Sequence, residues 1–249
     1  NFGEGIAERY MIPYNEKIWA YPLEDMETQW MQGKMPLPTK KEMIRSMLLK
    51  DPSERKMPHS SFYYPLRGGI QTMVDAIADG MDIRYNTNIT KICKRGRKWV
   101  INEEEEVDQI VSTIPLPLLP AVMELPAEIV QSIYRLKYNS LSTVLFECHK
   151  TDITWLYIPS HAYKSHRVGY QSTLTPYGCP VSDRSCGALE IIGKPIEDPE
   201  ALAHRHDILP EELGYTETLD YEFTEYAYVI HDRKYRDSIT AVKAYFSEN

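Results

Sequence analysis

No run of eighteen apolar residues occurs in this 249-residue chain, so no membrane-spanning helix is expected. The opening residues, Asn-Phe-Gly-Glu-Gly, carry no basic segment followed by an apolar run, and no secretory signal is read there. Cysteine is scarce, with four residues at 93, 148, 179 and 186. None forms a Cys-x-x-Cys pair and no metal-ligand spacing appears, so no metal site is expected. Cys179 and Cys186 can approach across a loop, but reduced thiols in a cytoplasmic protein are the expected state. There is no Gly-x-Ser-x-Gly, no His-Glu-x-x-His and no P-loop, which removes three common catalytic motifs. Gly3-Glu-Gly5-Ile-Ala-Glu8 imitates the start of a dinucleotide fingerprint. It lacks the third glycine and a preceding strand, and it is not read as a phosphate loop. Basic charge is in deficit: the formal net charge of −8 argues against a nucleic-acid partner. The basic run Lys94–Lys98 is answered by Glu103–Glu106, so the two read as opposing sides of a solvated hairpin.

What is present begins with Arg9 to Trp30. Pro13, Asn15, Lys17, Trp19 and Pro22 mix breakers, a charge and bulky aromatics in one short span. Such a stretch suits the filling of an irregular cleft better than a regular element. A helix is predicted from Thr39, where Thr39 and Glu42 form a capping box and Ile44, Met47 and Leu48 mark one apolar face. Arg45 sits about 100° from Ile44 around that helix. It either reaches an adjacent cleft or snorkels to water. Further on, Gly68 and Gly69 precede a second helix, whose apolar residues are Ile70, Met73, Val74 and Ile77 and whose end is Gly80. The glycines make either a tight turn or an anion-receptive helix start.

Four strands are predicted at residues 82–86, 88–94, 98–101 and 109–114. The last is apolar enough to be covered inside a sheet. Pro126 then opens a helix with Ile129, Val130 and Ile133 on one face. Strands follow at 142–147, 154–158, 167–172 and 187–192, and one or two long strands at 218–230. Residues 195–214 read as helix and loop, with His204 and His206 on its surface, and Ser238–Phe246 reads as a closing helix. Alternation in Thr154-Trp-Leu-Tyr-Ile-Pro puts Trp155 and Tyr157 on one face, suited to stacking on a sugar or a planar base. Arg167 fits a phosphate contact on the next strand, because its guanidinium forks onto oxygen pairs. The alternative is plain core packing, with Arg167 paired to a surface carboxylate.

Several of these segments resemble one family in the same order. Tyr10-Met-Ile-Pro-Tyr-Asn-Glu-Lys-Ile-Trp-Ala-Tyr-Pro with Met26 and Trp30, Tyr64-Pro-Leu-Arg-Gly-Gly, Val111-Ser-Thr, and Trp155-Leu-Tyr-Ile-Pro followed by His166-Arg167 are similar to UDP-galactopyranose mutases of the eukaryotic type. The resemblance spans nearly the whole chain. It implies FAD, whose reduced N5 attacks the anomeric carbon of a nucleotide sugar, so that the sugar opens and recloses with the other ring size. No side chain would then be the nucleophile. By the same resemblance Trp30, Arg45, Trp155, Tyr157, Arg167 and Tyr228 contact substrate, and Arg67, Gly68, Gly69 and Ile89 lie at the cofactor. The family's Gly-x-Gly-x-x-Gly and its late Gly-Arg segment are missing, so the chain reads as an internal fragment, inactive alone.

The expected fold is α+β: a helical substrate subdomain (1–60), a partial FAD-binding, Rossmann-like portion (61–120) and an antiparallel-sheet substrate domain (121–249). The expected partner is a nucleotide-sugar small molecule, with no nucleic acid and no membrane. The same architecture also serves oxidoreductases of the amine-oxidase and protoporphyrinogen-oxidase type, and a nucleotide-sugar-binding fragment without catalysis is a third reading.

Overall fold

The computed structural model describes residues 3–31, 39–49, 61–179 and 183–248, with the side chains of Trp30, Ser46 and Glu248 outside that description. The stretch expected to be irregular, Arg9–Trp30, is helical as far as Trp19 and is loop with two short 3-10 turns from Ala20 onward. A short helix α1 (Glu4–Ile6) runs through a π-turn (Ala7–Met11) into α2 (Ile12–Trp19). Pro13 falls in the first turn of α2, where a missing N–H costs little, and the wide π-turn absorbs the break in the ladder. Asn15 locks the turn from within: its amide donates to Met11 O at 2.6 Å and its carbonyl accepts from Trp19 Nε1 at 3.0 Å. Ala20, left-handed at φ 45°, ends the helix.

Helix α3 (Lys40–Leu49) starts at the capping box read from the sequence. Glu42 accepts from Thr39 N at 2.7 Å, and Thr39 Oγ1 accepts from Glu42 N at 3.3 Å. Helix α4 (Gln71–Ala78) follows the two glycines, and Gly80 lies two residues past its end in the left-handed region. A three-stranded antiparallel sheet comes next: β1 (Ile92–Arg95), β2 (Lys98–Ile101) and β3 (Glu105–Val107). Its rim carries the opposing charges, with Lys91 2.5 Å from Glu103 and Arg95 3.4 Å from Glu106. Residues 82–86 and 109–114 are not strands. Apolar composition there met no pairing edge among the described residues, and Ile83, Tyr85, Val111 and Ile114 are exposed.

Two helices then pack together. After the short α5 (Leu119–Val122), α6 (Ala127–Arg135) lays Ile129 and Ile133 against Val242 of the last helix, α7 (Tyr235–Glu248). The larger sheet has five antiparallel strands in the order β5-β6-β7-β4-β8. They are β4 (Lys137–His149), β5 (Trp155–Tyr157), β6 (Arg167–Gly169), β7 (Arg184–Ile192) and β8 (Tyr215–Ile230). The long final strand is one piece, with register shifts against β4 that mark bulges. Where residues 170–172 were expected to extend β6, a 3-10 turn at Gln171–Thr173 ends it.

Alternation divides this sheet cleanly. One face carries Val144, Phe146, Cys148, Val168 and Leu189 into the core, covered by Leu202, Ile208 and Leu209 from the 195–214 segment. That segment forms 3-10 turns and loop instead of a regular helix. Gly187 permits the closest packing, since a Cβ there would stand 3.0 Å from both the Phe146 and Tyr170 rings. The opposite face is roofed by α2. Lys17 fastens it by donating to three carbonyls, Ser165 O at 2.6 Å, Ile158 O at 2.7 Å and Ser160 O at 2.9 Å. Burial pulls its ammonium down to about 8, against those three acceptors. Replacing it by Met would leave the carbonyls without their donor. We expect Lys17→Met to lower stability by about 1–3 kcal/mol, read from urea denaturation; an unchanged midpoint would remove Lys17 as the fastener.

Candidate functional site

The face under α2 collects the polar chemistry. Cross-strand register sets Tyr157 opposite Arg167 and Trp155 opposite Gly169, then Arg167 opposite Glu190 on β7. Period-2 alternation therefore puts Trp155, Tyr157, Arg167 and Glu190 on one side of the sheet. Trp155 and Tyr157 are half exposed. The Arg167 guanidinium lies 5.4 Å from the Trp155 ring centre, within cation–π range. Gly169 is what lets the indole lie over the strand: a Cβ at that position would meet Trp155 Cζ3 at 2.7 Å.

Glu190 is the hub. Arg167 Nε donates to its Oε1 at 3.0 Å and Arg167 Nη2 donates to the same oxygen. Tyr228 Oη donates to Oε2 at 2.9 Å and accepts from Arg167 Nη2 at 3.2 Å. His166, fully buried, holds Nε2 3.4 Å from Oε2 without hydrogen-bond alignment, and neither ring nitrogen has a partner among the described residues. Burial opposes a charge on Glu190, but His166, Arg167 and Tyr228 outweigh it and hold the carboxyl at about 2. Given the poor alignment of His166, the Arg167 bonds carry most of that pull. Burial also opposes the charge on Arg167, yet the Glu190 bonds raise it further, so the cation is permanent. Arg167 Nη1 makes no hydrogen bond among the described residues, which leaves part of the fork available to a ligand.

Tyrosines complete the wall. Tyr14 on α2 meets Tyr157 edge-on at 5.3 Å and stacks on Tyr10 at 5.6 Å. Burial raises the Tyr14 hydroxyl, and burial together with the Glu190 charge pushes Tyr228 up to about 12. Tyr14 and Tyr228 are therefore neutral at physiological pH. The arrangement offers a cation, neutral hydroxyls and aromatic faces in one cleft. This suits an anion attached to a ring.

The other sequence-derived candidates lie elsewhere or outside the description. The Trp30 side chain is outside the described residues. Its backbone belongs to a 3-10 turn, Gln29–Met31. Arg45 is exposed on α3 beside Ile44, Leu48 and Leu49, and is not one of the residues on the Arg167 face. Ile89 lies in a loop, lining a shallow depression with Arg84, Thr87 and Asn102. Arg67, Gly68 and Gly69 form one turn. Both glycines have left-handed φ, at 76° and 62°, and Thr72 Oγ1 caps the turn by donating to Arg67 O at 3.0 Å. Arg67 stacks 3.6 Å above the Tyr177 ring. Among the described residues no group accepts from the Gly68, Gly69 or Ile70 N–H. No cluster of three metal-ligating side chains occurs among the described residues, and no described helix is long and apolar enough to cross a membrane.

Residues 22–174 match the family model of flavin-containing amine oxidoreductases, more than half of the chain. The chain belongs to that family. FAD is the cofactor this membership implies. The 67–70 turn fits one part of holding it, since unpaired N–H groups at a helix start and a cation suit a negatively charged group. The fold is also similar to a crystal structure of reduced UDP-galactopyranose mutase, with a TM-score of 0.78 and 20% identity over 99% of this chain. A putative protoporphyrinogen oxidase from Exiguobacterium sp. 255-15 is similar over 97% of the chain, with a TM-score of 0.63 and 16% identity. The chain spans 57% and 56% of the lengths of these two proteins.

Sequence reasoning missed Glu190, Tyr14, His166 and Gly169. Glu190 had a usable signal, a lone charge inside the apolar run Ala188-Leu-Glu-Ile-Ile. Its fold-state value near 2 sits below the ordinary value of about 4.3, so its stabilisation is complete above about pH 5 and is lost as pH falls toward 2. That contribution is on the order of 3 kcal/mol. We expect wild-type stability to drop over that window and Glu190→Gln to flatten the drop, measured by denaturation at stepped pH. Parallel losses in both proteins would show that the ion pair is not the source. Gly169→Ala should displace the indole and blue- or red-shift its emission; a spectrum identical to wild type would contradict the packing described.

Proposed function

We propose that this chain supplies the nucleotide-sugar side of an FAD-dependent enzyme, and that the reaction is interconversion of pyranose and furanose rings of the kind performed by UDP-galactopyranose mutase. The observation that carries this reading is the Arg167 fork, half satisfied by Glu190 and flanked by Trp155, Tyr157 and Tyr228 on one open face. A diphosphate would take the remaining Arg167 donors, and Tyr228 would meet it by turning its hydroxyl away from Glu190, since charge-assisted bonds to phosphate oxygens are the strong ones. Trp155 and Tyr157 would stack on the sugar or the base. Glu190 would hold the arginine in place and keep it from collapsing onto another anion. Trp30 and Arg45 join the substrate contacts by family resemblance. Arg67, Gly68, Gly69 and Ile89 join the cofactor contacts in the same way.

When bound, reduced flavin would supply the nucleophile, which agrees with the lack of any nucleophile motif in the chain. The protein residues would bind, orient and neutralise the leaving diphosphate. The likeness to a putative protoporphyrinogen oxidase supports a second reading, in which the flavin oxidises a substrate without a nucleotide. The two separate on one experiment. UDP-galactose added to a reduced, flavin-loaded protein that joins this chain to the dinucleotide-binding segment should yield furanose product under the first reading and none under the second.

Arg167→Ala should weaken UDP binding by about 1.5–3 kcal/mol, the range for hydrogen bonds to charged groups, measured by calorimetry. An unchanged affinity would sink the diphosphate role.

A further inference from the structure

We propose that Cys179 and Cys186 are a reversible dithiol–disulfide pair that sets the rigidity of the Arg67–Gly69 turn. This goes beyond the nucleotide-sugar reading and does not rest on it. The two sulfurs stand 2.9 Å apart, with Cys186 Sγ directed at Cys179 Sγ, although residues 180–182 between them lie outside the description. Cys186 is buried on β7 and its N–H donates to Ser172 Oγ at 3.2 Å. Cys179 is partly exposed at the end of the loop that follows the 3-10 turn. The pair thus joins a fixed strand to a loop.

That loop is the buttress of the turn. Thr175, buried, donates from Oγ1 to Leu66 O at 2.6 Å, and the Tyr177 ring lies under the Arg67 guanidinium. Two further hydrogen bonds shape the loop itself, Tyr177 N to Thr175 Oγ1 at 3.3 Å and Gly178 N to Thr175 O at 3.0 Å. A covalent link would tie Cys179 directly to β7 and hold Thr175 and Tyr177 against the turn. Cys148 is not a competitor: it is buried and its thiol points at Ser185 O, 3.5 Å away.

The chemistry needs a small-molecule disulfide such as oxidised glutathione. The Cys179 thiolate attacks one of its sulfurs and expels one glutathione thiolate, which takes up a proton. The Cys186 thiol gives its proton to solvent and attacks Cys179 Sγ, releasing the second glutathione. One protein disulfide forms and two glutathione thiols are produced. The order follows access: Cys179 is the exposed partner. Burial, with the Cys179 sulfur beside it, pushes Cys186 up to about 12, so Cys186 does not lead the attack.

The test is to incubate the chain with oxidised glutathione, then map peptides by mass and measure hydrogen exchange with and without reductant. The expected product is a Cys179–Cys186 cross-link two hydrogens lighter than the dithiol, with no glutathione retained. The hydrogen-bonded amides of Thr72, Tyr177 and Gly178 should exchange about tenfold more slowly in that form. Cys179→Ser should abolish both changes, while Cys93→Ser should preserve them. A stable glutathione adduct on Cys179 would overturn the pairing. A cross-link that leaves exchange at Thr72, Tyr177 and Gly178 unchanged would overturn the control of the turn.

Discussion

Glu190 is the carboxylate on which the site is organised. It sits in the middle of the five-stranded sheet, on the face away from the core, and accepts from Arg167 on β6 and Tyr228 on β8. Three strands are therefore tied at one point by side chains as well as by backbone ladders. A partly buried cation and a partly buried anion are each costly alone; together, with a hydroxyl bonded to both, they tolerate the setting. The same arrangement leaves Arg167 rigid, charged and incompletely satisfied. A binding group needs that combination and a purely structural ion pair does not.

The roof over this face follows a second constraint. In helix α2 only Trp19 is buried, and Ile12 at its start is exposed. It is held by one ammonium that gathers three carbonyls from the β5–β6 connection, and by Asn139, whose amide donates to Ile18 O at 2.7 Å. Polar fastening of this type fixes position without filling space. Tyr10 and Tyr14 then hang into the cleft with their rings free to form its wall.

Much of this was legible in the residues, for physical reasons that differ by element. The capping box at Thr39 and the alternation in β5 are local signals, and both appear in the structure as read. The face shared by Trp155, Tyr157 and Arg167 needed a register that only the folded sheet supplies. Residues 109–114 misled because apolar composition reports a wish to be covered, not the presence of a strand to pair with. Arg9–Trp19 misled for the opposite reason: Pro13 looks like a breaker, yet a π-turn placed just before it makes a helix permissible. Glu190 and Gly169 were missed because a hub and a gap are defined by what surrounds them, and the neighbours come from distant parts of the chain.

The sixteen-residue strand β8 lies at the end of its sheet, with no strand on its outer side among the described residues. So long a row of unpaired backbone groups is a template for another chain. Glu217, Asp220, Glu222 and Glu225 all project from it into solvent. A second copy approaching edge to edge would set like charges against each other along most of the strand. Part of the acidity that the composition shows as a bulk excess is thus placed along this strand, where it opposes such pairing.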